Sequence, residues 1–210
     1  VSVTLTIITD EPVGPCPAAT DNMVLAVDSA ATASAGTDAT ICQGDDHLLS
    51  GSIGGNATGS LWSSSGDGTF DDNTLQAATY TPGSADISMG TVTLTITSND
   101  PAGPCPAVAD SMVLTINQAT TASAGSNDTI CDGNTYTLTG AFGGSATSSV
   151  WSSSGNGTFD NAALTNATYT PGSADLAAGS VTLTITTDDP VGPCPAALDN
   201  MVLAVDSAAT

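Results

Sequence analysis

Lysine and arginine are absent from this 210-residue chain, and 21 acidic residues give it a formal charge of −21. Neutralising nucleic-acid phosphates requires basic side chains, so DNA and RNA binding are excluded. Attraction to anionic lipid headgroups fails for the same reason. No enzyme that depends on an arginine clamp, a Schiff-base lysine or a P-loop lysine can be built from this chain alone. Aromatic residues are scarce: three Phe, three Tyr and two Trp. A glycosidase cleft wants sugar-stacking rings beside its paired carboxylates, so the abundance of Asp does not by itself suggest one. No apolar run approaches the ~20 residues of a membrane-spanning helix, and no signal peptide is visible.

What is present is a β-and-turn vocabulary. Hydrophobic residues make up 40% of the chain, and Val, Ile and Leu recur in alternating runs among Thr, Ser, Gly and Asp. High charge with few aromatics is also the signature of disorder. The alternation argues for a folded chain instead.

Sliding the sequence by 89 residues superposes Trp62 on Trp151, Phe70 on Phe159, Tyr80 on Tyr169 and Cys42 on Cys131. Cys16 falls on Cys105 and then on Cys194. Two copies therefore run over 30–118 and 119–207, each the size of one β-sandwich domain. Residues 1–29 read as the last two strands of a preceding, truncated repeat, and 208–210 as the start of the next linker. Residues 1–32 match 179–210 everywhere except positions 1, 8, 11 and 20. The expected unit is thus a pair of domains in a longer tandem array, of which this sequence is a window. A lone hairpin is marginal in water. Residues 1–27 are therefore expected to pair with upstream sequence or with another chain.

Within the first copy, strands are predicted at 38–42, 47–52, 60–65, 69–70, 78–82, 90–98 and 111–117. The run 90–98 alternates strictly, with Val92, Leu94 and Ile96 on one face. Seven short strands with one Trp on the third predict an all-β fold of tandem Ig-like (PKD-like) β-sandwich domains. A β-solenoid is set aside because 89 residues are too many for one coil.

The order AGTDATICQGDD, LWSSSGDGTF, ATYTPGSADISMGTVTLTIT and NDPAGPCPA resembles the Ig-like, PKD-like repeats of very large secreted surface proteins of the Bacteroidota. Gliding-type adhesins exported by type IX secretion are among them. The resemblance covers the whole chain. It implies an extracellular, bacterial cell-surface array with adhesive or structural roles, and it names no ligand.

Five cysteines in a secreted-looking β protein suggest disulfides, and three pairings respect the repeat. Within domains, Cys42 would join Cys105 and Cys131 would join Cys194, leaving the partner of Cys16 outside the chain. Across the linker, Cys16 would join Cys42 and Cys105 would join Cys131. In an Ig-like sandwich, however, the first strand ends at the opposite end from the loop between the last two strands. That topology allows a third pairing, Cys42 with Cys194, which staples neighbouring domains.

Candidate chemistry is thin. His47 has no histidine counterpart, since Tyr136 occupies the equivalent position, and it is read as a strand residue rather than a catalytic one. Asp67, Asp71 and Asp72 lie close together around a Gly-rich turn and could offer Ca²⁺ its oxygen ligands. The second copy keeps Asp160 but has Asn156 and Asn161 at the other two positions. Asp100, Asp188 and Asp189 form another set. The competing reading is that these residues build Asx-turns. Trp62 and Trp151 could be sugar-stacking platforms, but a single Trp on the third strand is read as core. Asp-Ser/Thr-apolar triplets resembling a Bacteroidota O-glycan acceptor pattern place candidate glycosylation on Ser29, Ser111, Thr129 and Ser207. The N-x-S/T triplets at Asn56, Asn127, Asn156 and Asn166 would matter only in a eukaryotic host.

The expected function is a structural and adhesive segment of a long extracellular bacterial protein or filament, without catalysis. Its expected partners are neighbouring repeats or identical chains, with glycans or surfaces as further candidates. The alternative is a carbohydrate- or Ca²⁺-dependent binding module of a larger secreted protein.

Overall fold

A computed structural model describes residues 1–10, 14–15, 17–99, 105–189 and 192–206. An N-terminal hairpin joins β1 (Ser2–Ile8) to β2 (Thr20–Ala26). The first repeat follows with β3 (Thr32–Ser34), β4 (Ala39–Cys42), β5 (His47–Leu48), β6 (Ser52–Gly54), β7 (Ser60–Ser64), β8 (Thr69–Phe70) and β9 (Thr79–Thr81). It closes with helix α1 (Ser84–Met89), β10 (Thr91–Ser98) and β11 (Ala109–Asn117). The second repeat has the same order: β12 (Thr121–Ser123), β13 (Asp128–Cys131), β14 (Tyr136–Thr137), β15 (Ala141–Gly143), β16 (Ser149–Ser153), β17 (Thr158–Phe159), β18 (Thr168–Thr170), α2 (Ser173–Ala178), β19 (Ser180–Thr187) and β20 (Leu198–Asp206).

Each repeat is a sandwich. One layer has four strands in the order β4-β11-β10-β7, and its counterpart is β13-β20-β19-β16. The other layer combines β5-β9-β8 with the β3-β6 pair, and β14-β18-β17 with β12-β15. Alternation decides which side chains meet between the layers. Val92, Leu94 and Ile96 of β10 are buried, as their common face predicts, and face Leu49, Ala78 and Tyr80 in one core cluster. Val181, Leu183, Ile185, Met201 and Leu203 do the same in a separate cluster with Leu138, Trp151, Ala167 and Tyr169. Both tryptophans are core residues, not exposed platforms.

Three details depart from the sequence expectation. The predicted strand 47–52 is two strands, β5 and β6, in different sheets. Gly51 sits at the crossing, where a Cβ would lie 2.6 Å from the Trp62 ring, so the backbone itself packs on the indole. The short strand β3 was not predicted, and it pairs antiparallel with β6. Helix α1 was also not predicted. Six residues are too few for a helical period to show, and the segment is instead set by Gly83 before it and by Gly90 in the left-handed region (φ 76°) after it.

Candidate functional site

The cysteines show what the topology does with a repeat. Strand β4 pairs parallel with β11, which places Cys42 opposite Asn117, the last residue of that strand. Cys105 lies before the first residue of the same strand, so nine residues at about 3.3 Å each, roughly 30 Å, separate it from Cys42. A disulfide needs Cα atoms within about 7 Å. The within-domain pair Cys42–Cys105 is therefore excluded, and Cys131–Cys194 with it, because Cys131 faces Asp206 at the far end of β20. Cys42 is joined instead to Cys194 of the following repeat, with Cα atoms 4.9 Å apart. That bond also rules out a linker bond from Cys16 to Cys42, while Cys16 itself lies outside the described residues. Cys105 and Cys131 are free thiols and are not joined to each other.

The candidate Ca²⁺ ligands are committed to backbone amides. Asp67 accepts from the N–H groups of Ala85 (3.0 Å) and Asp86 (3.3 Å). Asp71 accepts from Thr79 N–H and Asp72 N–H, both at 2.7 Å, and Asp160 accepts from Thr168 N–H (2.8 Å) and Asn161 N–H (2.7 Å). Asp72 accepts from the Thr74 hydroxyl (2.6 Å) and from its N–H (2.9 Å). These donors hold all four carboxyls below the ordinary aspartate value, with the Ala85, Thr79 and Thr168 amides and the Thr74 hydroxyl as the leading causes. Among the described residues no group of three His, Cys, Asp or Glu side chains comes together, and the hydrogen bonds these four aspartates make are those of turns. Asp188 likewise accepts from the N–H and hydroxyl of Thr147, while Asp100 lies outside the described residues.

Sequence reasoning missed the most buried carboxylates. Asp86 is fully buried and accepts from Tyr80 hydroxyl (2.7 Å) and from the N–H groups of Gly68 (3.0 Å), Gly83 (3.0 Å) and Asp67 (3.3 Å). Asp175 repeats the arrangement with Tyr169 (2.7 Å), Gly172 (2.8 Å), Gly157 (3.1 Å) and Asn156 (3.2 Å). One acceptor thus ties the turn after β7 to the helix and to a core tyrosine. Burial pushes the Tyr80 hydroxyl up to about 12, which keeps it a donor. The available signal was the PGSAD motif, kept in both copies beside each Gly-x-Gly turn.

The remaining candidates sit on strands or at exposed positions. His47 is on β5 opposite Tyr80, and partial burial pulls its pKa below the ordinary value. Ser29 and Thr129 are exposed. Ser111 is exposed on β11 and shares a 2.8 Å hydrogen bond with Thr95, while Ser207 lies outside the described residues.

Among the described residues nothing covers hairpin β1–β2. Val3, Leu5, Met23 and Leu25 are 44–58% exposed, whereas their repeat equivalents Val181, Leu183, Met201 and Leu203 are at most 2% exposed. The hairpin is nonetheless formed along its whole length, from Ser2↔Ala26 to Ile8↔Thr20.

Comparison with known proteins identifies the fold class. Among solved structures, the chain is similar to the insect immune protein hemolin (12% identity, TM-score 0.53), covering 98% of this chain and 56% of that one. It is also similar to the EC1–3 segment of protocadherin gamma C5 (13% identity, TM-score 0.51), covering 98% of this chain and 77% of that one. At such identities the likeness speaks for fold alone: the chain is an all-β protein built of Ig-like β-sandwich repeats. The chain spans little more than half the length of hemolin. No protein-family profile matches the chain, and no curated protein does.

Proposed function

We propose that this chain is a load-bearing, adhesive segment of a long extracellular array at a bacterial surface, with repeats at 30–118 and 119–207 as its units and no catalytic role. The observation that carries the reading is the Cys42–Cys194 bond. It joins the end of β4 in one repeat to the β19–β20 loop of the next, across 152 residues of sequence. Tension entering along β4 crosses this bond directly instead of passing through both cores. Structural disulfides persist in oxidising compartments, which supports a place outside the cytoplasm. The likeness to Bacteroidota surface repeats supports the bacterial setting. An acidic coat without lysine or arginine supports solubility and offers trypsin-like proteases no site to cut.

Single-molecule pulling between the chain ends tests this. With the bond intact, 152 residues stay hidden, so the oxidised chain should stop about 530 Å short of full extension at ~3.5 Å per residue. Reductant should release that length. Full extension without reductant would remove the staple and the load-bearing reading with it.

A further inference from the structure

The Gly-x-Gly turns of the two repeats differ at one side chain, and the difference is chemically reactive. Asp67-Gly68 follows β7, and its equivalent after β16 is Asn156-Gly157, the one Asn-Gly pair in the sequence. In such a pair the glycine nitrogen can reach the side-chain carbonyl carbon, because no Cβ hinders the approach. Packing imposes the glycine. A Cβ on Gly157 would lie 2.3 Å from the Tyr169 hydroxyl oxygen and 2.5 Å from the Thr170 carbonyl oxygen, and Gly68 is held in the same way against Tyr80 and Thr81.

The folded turn commits both reacting groups elsewhere. Gly157 N–H donates to the Asp175 carboxylate at 3.1 Å. Asn156 Oδ1 accepts the Ala174 N–H at 3.0 Å, and Asn156 Nδ2 donates to Ser173 Oγ at 3.3 Å. Gly172 closes the other side, where a Cβ would lie 2.1 Å from Asn156 Oδ1. Ring closure requires the Gly157 nitrogen to lose its proton and to meet Asn156 Cγ. The charge of Asp175 opposes the first, and the side-chain contacts oppose the second. Asn156 is nevertheless exposed, so water has access to it.

The first repeat shows how a carboxylate fits this place. Asp67 Oδ1 accepts the N–H of Ala85, the equivalent of Ala174, at 3.0 Å. Ser84, the equivalent of Ser173, reverses its role and donates to Asp67 Oδ2 at 3.3 Å, as a hydroxyl can. The same exchange recurs elsewhere. Asp38 Oδ1 accepts the Val113 N–H at 2.8 Å, and Asn127 Oδ1 accepts the Val202 N–H at 2.8 Å. Asn99 Oδ1 accepts the Thr58 N–H at 3.0 Å, and Asp188 Oδ1 accepts the Thr147 N–H at 2.9 Å. These turns use one side-chain oxygen and accept either an amide or a carboxylate behind it.

We propose that Asn156 is a site of spontaneous deamidation, gated by the hydrogen bond from Gly157 N–H to Asp175, and that the aspartate formed takes up the contacts of Asp67. The Gly157 nitrogen forms a bond to Asn156 Cγ, the Cγ–Nδ2 bond breaks, and ammonia leaves with the backbone amide proton. Water then opens the cyclic imide. Cleavage at Cγ gives aspartate, and cleavage at the main-chain carbonyl gives isoaspartate. Either product adds one negative charge to the −21 of the chain. The converted fraction records how often the turn has opened.

The test follows the full-length, disulfide-bonded chain at mildly alkaline pH, folded and in unfolding urea, by mass spectrometry of the chymotryptic peptide 152–159. Conversion at Asn156 should be about ten-fold or more slower in the folded chain, because opening breaks a hydrogen bond to a charged acceptor. Asp175→Ala should speed the folded-state reaction by about ten-fold. Leu183→Ala, a core change in the same repeat that leaves the turn intact, should keep it within about two-fold of wild type. Asn156→Asp should melt within about 3 °C of wild type. Equal rates in the folded chain and in urea would overturn the gate, as would equal acceleration by Asp175→Ala and Leu183→Ala. A larger fall in the melting temperature of Asn156→Asp would overturn the claim that the product fits. The comparison of folded chain with urea needs no variant, so it decides the matter even if Asp175→Ala does not fold.

Discussion

Replacing Asp175 with alanine removes the one acceptor shared by Tyr169 hydroxyl and the Gly172, Gly157 and Asn156 amides. Hydrogen bonds to a charged group contribute roughly 1.5–3 kcal/mol each, and a buried donor left without a partner carries its full desolvation cost. Water can reach the Asn156 and Gly157 amides at the turn, so their loss is discounted. The Tyr169 ring is fully buried. The expected cost is about 3–5 kcal/mol, and about 1–2 kcal/mol for Tyr169→Phe, which deletes one donor. The pH dependence follows from the charge. Burial pushes the Asp175 carboxyl up, but the Gly172 amide, the Tyr169 hydroxyl and the two turn amides more than offset it, so it lies below its ordinary value. A depressed folded-state pKa gives stability that is complete above the unfolded value of about 3.9 and is lost as pH falls through the folded value. Urea unfolding followed by tryptophan fluorescence should therefore show the full difference between wild type and Asp175→Ala at pH 7 and a smaller one at pH 3. Hydrogen exchange should assign the loss to the second repeat. A cost below 1 kcal/mol, or an equal cost at both pH values, would refute the reasoning.

Leu183→Ala should cost about 2–5 kcal/mol, because the side chain is fully buried. Leu5→Ala, at the equivalent but exposed position, should change monomer stability by less than about 0.5 kcal/mol, and thermal or urea melts of the two variants compare them directly. Gly155→Ala should destabilise the second repeat by about 2 kcal/mol or more, since its Cβ would lie 1.6 Å from the Asp175 carboxylate and the network has to shift. A melting temperature equal to wild type would show that the turn yields more freely than its packing implies.

The alternation of Val92, Leu94 and Ile96 and the Gly-rich turns are local signals, so the β character and the strand positions were legible along the chain. Cores of this kind are specified by period and residue type, which is also why Trp62 and Trp151 were read as interior. The self-match of residues 1–32 with 179–210 made the N-terminal strand pair legible, and its register is that of β19–β20. The helices escaped because a single short turn carries no periodicity, and their position depends on Asp86 and Asp175 finding donors in a distant turn. The acidic cluster at Asp67, Asp71 and Asp72 looked alike as cation ligands or as turn formers. The donors placed against each carboxylate, which sequence spacing does not reveal, show that these aspartates build turns.

The absence of lysine and arginine, the 89-residue repeat and the five cysteines were fixed by sequence, and so were the functions they exclude. Sequence spacing offered Cys42 three partners without choosing among them. The choice belongs to the parallel pairing of β4 with β11, which sends Cys42 to the end of the domain opposite its own β10–β11 loop and toward the next repeat. Strand direction is a long-range property, set by which edge a segment joins once the core has formed. It decided that the disulfide links repeats instead of closing each one.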